Sequence, residues 1–173
     1  MSGAERLDPP HVLVIEDDVP ILTLFGRSLE LAGLRVTSRE APDCEPEEIA
    51  SLAPDVVVLD LLFDPRRRGF DSADLGGPFL DRLKADPTTA AIPVVVCSAD
   101  VPRLRRLAER MAHAGVVTLA KPCRPAELIA AVRSCLTSNS VKARSHVGPR
   151  TAAPGTAKTE AWRKPLPMLS SHP

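Results

Sequence analysis

Residues 54–65 read PDVVVLDLLFDP, and this stretch decides the fold class. Its apolar run from Val56 to Phe63 is rich in valine, which predicts a strand covered on both faces of a sheet. Asp60 stands inside that run, and a carboxylate buried without a partner is costly. We therefore expect Asp60 to lie where the strand leaves the core, beside groups that compensate its charge.

Four other apolar runs alternate with amphipathic stretches along the chain. They lie at 11–15, 34–37, 92–97 and 116–120. Signals for helix starts stand between the runs, at Asp18 with Pro20, Pro46, Pro78, Asp100 and Pro125. Five β-α units in succession predict an α/β domain with a parallel sheet and helices on both faces. The size suits a flavodoxin-like (βα)5 doubly wound sheet with strand order 2-1-3-4-5.

The chain divides into an N-terminal extension (1–10), this domain (11–136) and a tail (137–173). Residues 1–136 contain 16 basic residues (Lys and Arg) and 21 acidic residues (Asp and Glu). Residues 137–173 contain 6 basic residues and 1 acidic residue. The tail is rich in Pro, Ser and Ala, which is typical of a flexible segment. We interpret it as a spacer, with a short docking motif at 161–169 as the alternative. Its positive charges are spread along the segment, so they are only weak evidence that the tail binds nucleic acid.

The composition also bears on where the protein acts. No apolar run approaches the roughly 18 residues that a membrane span needs. The N-terminus MSGAERLDPP has no apolar core like that of a secretory signal. The four cysteines are widely spaced, which argues against zinc and against a disulfide framework, and Cys97 lies in an apolar run typical of the core. We expect a protein of the reducing cytoplasm.

Charged and hydroxyl side chains follow four of the predicted strands. They are Glu16 and Asp17 after the first, Asp60 on the third, Ser98 on the fourth and Lys121 after the fifth. Polar residues often end strands merely because they meet solvent, and Asp18 is explained as a helix cap. Four charged groups at matched depth, however, indicate a shared site. Clustered carboxylates suit Mg²⁺, and a carboxylate there can attack phosphorus to form an aspartyl phosphate, with Lys121 and Ser98 stabilising the phosphoryl group.

In order along the chain, four motifs carry a family resemblance: VLVIEDD, PDVVVLDLLF, IPVVVCSA and LAKP. Segment 11–136 resembles the receiver domain of two-component response regulators. The resemblance implies that Asp60 accepts phosphate from a sensor histidine kinase or phosphotransfer protein. It also implies Mg²⁺ held by Asp17, Asp60, the Leu62 backbone carbonyl and, through water, Glu16. The Lys121–Pro122 bond is then expected to be cis.

By the same resemblance the protein is a stand-alone receiver that relays its state to a downstream protein. It is not an enzyme in the usual sense, although receivers catalyse their own phosphorylation and dephosphorylation. Two features depart from the family. Thr118 stands where many receivers have an aromatic residue, and loop 64–77 is longer, with arginines at 66–68 and acidic residues Asp71 and Asp74. We favour a solvated insertion over a loop that overhangs the crevice.

These departures motivate an alternative function. The protein would then be a phosphorylation-independent interaction module that keeps the receiver fold, with an altered switch at Thr118. An aspartate-nucleophile phosphatase is a poorer fit, because such enzymes typically have a second Asp two residues after the nucleophile, and here that position is Leu62. A flavin-binding flavodoxin is poorer still, since the first strand lacks a phosphate loop rich in Ser, Thr and Gly.

Overall fold

The computed structural model describes residues 8–64 and 74–144, and residues 139–144 by their backbone alone. Three predicted features therefore lie outside the described residues. They are most of the N-terminal extension, the part of the long loop with Asp71 and the arginines at 66–68, and the tail beyond residue 144.

Strands and helices alternate through the described residues. In chain order they are β1 (His11–Ile15), α1 (Val19–Leu31), β2 (Arg35–Arg39), α2 (Pro46–Leu52), β3 (Val56–Asp60), α3 (Gly76–Ala85), β4 (Val94–Ser98), α4 (Val101–Arg110), β5 (Val116–Ala120) and α5 (Pro125–Arg144). None of the helices described is long and apolar enough to cross a membrane.

The five strands form one parallel sheet in the order β2-β1-β3-β4-β5. This confirms the predicted flavodoxin-like fold class. Every residue of β1, β3 and β4 is buried, which explains why these strands read as nearly unbroken apolar runs. The edge strands β2 and β5 are partly exposed and tolerate polar residues, as in the RVTSR of β2.

Side chains on the central strands alternate between two cores. Leu13, Val57 and Val94 belong to the cluster that contains buried residues of α2, α3 and α4. Val12, Val56 and Val95 belong to the cluster that contains buried residues of α1 and α5. The sheet is therefore covered on both faces, and its strand ends remain the place where polar groups can collect.

The predicted helix starts are observed. The Asp18 carboxylate accepts a hydrogen bond from the Ile21 N–H at 3.1 Å, and Asp100 accepts one from the Arg103 N–H at 3.0 Å. Each bond satisfies a backbone donor that has no partner within its helix. Both caps follow strands whose ends form the candidate site, so they fix where those loops become helices.

The last helix differs from the prediction. It does not end with the apolar stripe at Leu136 but continues to Arg144, so the predicted boundary at 137 falls inside α5. The hydroxyls of Thr137 and Ser138 donate to the carbonyls of Arg133 and Ser134, each at 3.0 Å. An apolar pattern marks only where a helix packs on the core, and helical hydrogen bonding can extend past that contact.

Candidate functional site

The four polar strand ends meet at one edge of the sheet. Because β1, β3, β4 and β5 are parallel neighbours, the residues that end them lie side by side. A cleft of about 390 Å³ opens there. Its lining comprises Glu16, Asp17, Asp18, Ile21, Asp60, Leu62, Asp64, Ala99 and Lys121.

Asp60 is compensated on both carboxylate oxygens. Its side chain is buried, and the residue is only 6% exposed. One oxygen lies 2.9 Å from the Lys121 ammonium nitrogen. The other accepts hydrogen bonds from the backbone N–H groups of Leu61 and Leu62, at 2.7 and 3.3 Å. The strand therefore ends with a carboxylate held in a fixed orientation, with its charge balanced by an ammonium group.

Lys121 also forms an ion pair with buried Glu16, so one ammonium group joins two carboxylates. Burial and the neighbouring charge of Asp60 raise the pKa of Glu16 to about 7, despite the opposing effect of Lys121. Burial lowers the pKa of Lys121, but the hydrogen bonds and charges of Glu16 and Asp60 outweigh it and leave that pKa raised. The ammonium group is therefore charged at neutral pH, and the carboxylates outnumber it.

The acidic group fits a hard divalent cation. Glu16, Asp17 and Asp60 each offer a carboxylate oxygen, and these oxygens all lie within 4.8 Å of one another. One ammonium group cannot neutralise three carboxylates, and oxygen ligands of this kind are the ones that Mg²⁺ prefers. Asp17 is further positioned by the Asp64 N–H, which donates to it at 2.7 Å. Leu62 lines the cleft, while ligation by its carbonyl stays a prediction.

Ser98 is placed at the edge of this arrangement. Ala99, rather than Ser98, is among the residues that line the cleft, and Ser98 is fully buried. Its hydroxyl oxygen accepts a hydrogen bond from the Asp100 N–H at 3.2 Å, so the O–H group can still donate. The backbone N–H of Lys121 donates a hydrogen bond to the Ser98 carbonyl at 2.9 Å. The Lys121–Pro122 peptide bond is cis, as the resemblance implies.

Thr118 lies in β5 opposite Val96 of β4, partly buried. That Thr118 alters a conformational switch stays a prediction.

The returning end of the long loop packs against the backbone at the end of β3, a contact that the sequence analysis did not anticipate. Asp74 forms an antiparallel bridge with Leu62 and an ion pair with Arg103 of α4. Gly76 lies directly against the backbone of Asp60 and Leu61. A Cβ at Gly76 would be 2.1 Å from the Asp60 carbonyl oxygen and 2.5 Å from the Leu61 Cα. The Gly76-Gly77 pair before Pro78 was the available signal, since adjacent glycines often mark a close approach of two backbones.

Replacing Gly76 by alanine should destabilise the protein by about 1–3 kcal/mol, because backbone next to Asp60 must move to admit the methyl group. Gly26→Ala is the matched control, since a Cβ at that helical position meets nothing closer than the Ser38 hydroxyl oxygen at 3.6 Å. Urea unfolding of both variants measures the difference. Equal stability of the two variants would show that the loop does not approach the strand this closely.

Comparisons with known proteins agree with the observed fold. No family model matches the chain. The phosphate regulon transcriptional regulatory protein PhoB of Pseudomonas aeruginosa is 26% identical over 125 residues, which cover 72% of this chain and 51% of that protein. The chain therefore spans about half of that relative's length.

Solved structures extend the comparison. The N-terminal domain of a response regulator receiver protein from Methanoculleus marisnigri is 27% identical, with a TM-score of 0.53 over 72% of this chain and 94% of that one. A CheY-like receiver domain protein from Methanospirillum hungatei is 17% identical, with a TM-score of 0.62 over 78% and 99% of the two chains. The second likeness concerns the fold alone.

Proposed function

We propose that this chain, which carries a receiver domain of the two-component response-regulator type, is a phosphorylation-dependent signalling switch. Asp60 accepts a phosphoryl group from a sensor histidine kinase or a phosphotransfer protein in the cytoplasm. A downstream protein reads the resulting change in charge and conformation. The chain acts as an acceptor that promotes its own phosphorylation and dephosphorylation, not as an enzyme that turns over a separate substrate.

The observation that carries this proposal is the position of Lys121. Its ammonium nitrogen lies 2.9 Å from Asp60 and also pairs with Glu16, at the edge of the sheet where the three carboxylates converge. A purely structural ion pair between Lys121 and Asp60 has no need of two further carboxylates, Glu16 and Asp17, that line the same cleft. A site that must neutralise an incoming phosphoryl group does need this combination of acidic metal ligands and one cation.

The reaction follows from these groups. A carboxylate oxygen of Asp60 attacks the phosphorus of the donor, and the nitrogen–phosphorus bond of the donor imidazole breaks. The nitrogen keeps the electron pair, so the phosphoryl group becomes an acyl phosphate on Asp60. Lys121 and the Ser98 hydroxyl stabilise the phosphoryl oxygens by charge and by hydrogen bonding, while backbone N–H groups after β3 hold the carboxylate in place.

Glu16, Asp17, Asp60 and the Leu62 carbonyl would hold Mg²⁺, which supplies positive charge to the transferring phosphoryl group. The test uses the wild-type chain with acetyl phosphate as a small donor. With Mg²⁺, intact-mass measurement should show one added phosphoryl group on most molecules within minutes. With excess chelator, uptake should fall to near zero. Uptake at the same rate in both conditions would contradict the proposed metal site.

Thr118 favours a second candidate function, the phosphorylation-independent interaction module. Phosphorylation would then be absent or would leave partner binding unchanged. Partner capture with wild type and Asp60→Asn, each before and after acetyl phosphate treatment, separates the two candidates. The switch predicts that treatment changes capture by wild type alone, whereas the module predicts the same partners in all four samples.

A further inference from the structure

The backbone segment directly after β3, residues 61–64, holds two of the three carboxylates of the acidic group. Two of its N–H groups donate to Asp60, at 2.7 and 3.3 Å. The Asp64 N–H donates to Asp17 at 2.7 Å. These donors fix the carboxylate oxygens only while the segment itself is fixed, so the contacts that anchor the segment bear on the site.

The returning end of the long loop, residues 74–76, is paired with this segment through the backbone. Asp74 forms an antiparallel bridge with Leu62. The Gly76 N–H donates to the Leu61 carbonyl at 3.2 Å. The segment after β3 is therefore joined to the returning end as soon as it leaves the sheet.

An ion pair fixes the returning end to helix α4. The Asp74 carboxylate binds the guanidinium of Arg103, whose side chain is only 23% exposed. Gly77 leaves the space that this guanidinium occupies, because a Cβ at Gly77 would collide with it. Helix α4 is in turn tied to the end of β4, since the Asp100 N–H donates to the Ser98 hydroxyl oxygen at 3.2 Å. The ion pair thus connects the segment after β3 to the neighbouring strand β4.

The two side chains of this ion pair lie outside the cleft that contains the acidic group. Asp74 and Arg103 line a separate cleft of about 570 Å³, together with Gly77 and Leu61. Neither is among the residues that line the acidic cleft. An effect of the pair on the carboxylates therefore passes through the backbone of the returning end.

We propose that Asp74 and Arg103 are positioning residues for the acidic group. By anchoring the returning end, they hold the segment after β3 where its N–H groups keep Asp60 and Asp17 oriented for a divalent cation. Closing a longer loop costs more chain entropy, and the ion pair and the backbone bridge offset that cost next to the site. This role rests on the proposed function, because it concerns how the same site binds its cation.

Calorimetric titration of the full chain with Mg²⁺ tests this role. Arg103→Gln and Asp74→Asn should each raise the Mg²⁺ dissociation constant about tenfold, a usual cost of removing a group that orients metal ligands. The double variant should raise it no further, because either substitution alone breaks the pair. Asp74→Asn keeps the size of its side chain, so it decides the result if Arg103→Gln folds poorly.

Asp81→Asn is the matched control. It breaks the 2.9 Å ion pair between Asp81 and Arg110, which also joins α3 to α4 but lies past the residues that pair with the segment after β3. The control should bind Mg²⁺ as wild type does. An ion pair that serves only the fold would lower the free energy of unfolding in urea and leave the Mg²⁺ affinity unchanged, and that result for Arg103→Gln would overturn the proposal. Additive effects in the double variant would also overturn it.

Amide exchange measured by NMR on metal-free protein separates this proposal from the proposed function. The N–H groups of Leu61, Leu62 and Asp64 should exchange several-fold faster in Arg103→Gln than in wild type, because local opening of the segment becomes more frequent. Asp81→Asn should leave their exchange unchanged. Faster exchange in a protein whose wild type binds no Mg²⁺ would support the anchoring and contradict the metal site. Unchanged exchange in Arg103→Gln would overturn the anchoring itself.

Discussion

Asp60→Asn should abolish phosphoryl uptake from acetyl phosphate while leaving the fold intact. The amide is nearly the same size as the carboxylate but is a far poorer nucleophile, so no acyl phosphate forms. It can still accept the backbone hydrogen bonds of Leu61 and Leu62. Lys121 keeps its ion pair with Glu16, so the change leaves no buried charge unpaired.

Intact-mass measurement after incubation with acetyl phosphate and Mg²⁺ checks this prediction. Asp81→Asn is the matched control, because Asp81 is an exposed carboxylate on α3 that pairs with Arg110 away from the cleft. The control should take up one phosphoryl group at the wild-type rate. Asp60→Asn labelled as fully as wild type would show that another residue is the acceptor.

Lys121→Met should slow phosphoryl uptake by about 10²–10³-fold, the usual cost of removing one group that stabilises developing charge. Methionine keeps much of the side-chain length but removes the ammonium that lies 2.9 Å from Asp60. The variant also leaves Glu16 and Asp60 facing each other without a cation, so its metal-free form should unfold at lower temperature.

Single-turnover labelling with saturating acetyl phosphate and Mg²⁺ measures the rate. Arg124→Met is the control, because Arg124 lies on the same loop but is exposed and pairs with Glu127. The control should keep the wild-type rate. A rate for Lys121→Met within a few-fold of wild type would mean that the ammonium serves the fold and not the transfer.

Local patterns in the sequence were sufficient to predict the architecture. The valine runs of β3 and β4 follow from burial on both faces, and the carboxylates of Asp18 and Asp100 mark where helices begin. Strand order then follows from the alternation of strands and helices. The same reasoning predicted that Asp60 and Lys121 lie at one edge of the sheet, because the carboxyl ends of neighbouring parallel strands lie side by side.

Contacts between distant segments could not be predicted in this way. The bridge between Leu62 and Asp74 and the approach of Gly76 to the Asp60 backbone depend on how the long loop returns. The extension of α5 to Arg144 was missed because its final residues carry no apolar stripe. Hydrophobic periodicity in a sequence reports local structure and burial, so it does not predict these features.

The most direct test of the proposed function locates the phosphoryl group. Wild type is labelled with acetyl phosphate and Mg²⁺, and the acyl phosphate is reduced with borohydride, which converts a phosphorylated aspartate to homoserine. Peptide mapping by mass spectrometry then finds the converted residue. The proposed function predicts homoserine at position 60, and at no other aspartate, in labelled protein only. Conversion at a different aspartate, or none in protein that has been exposed to donor and Mg²⁺, would contradict it.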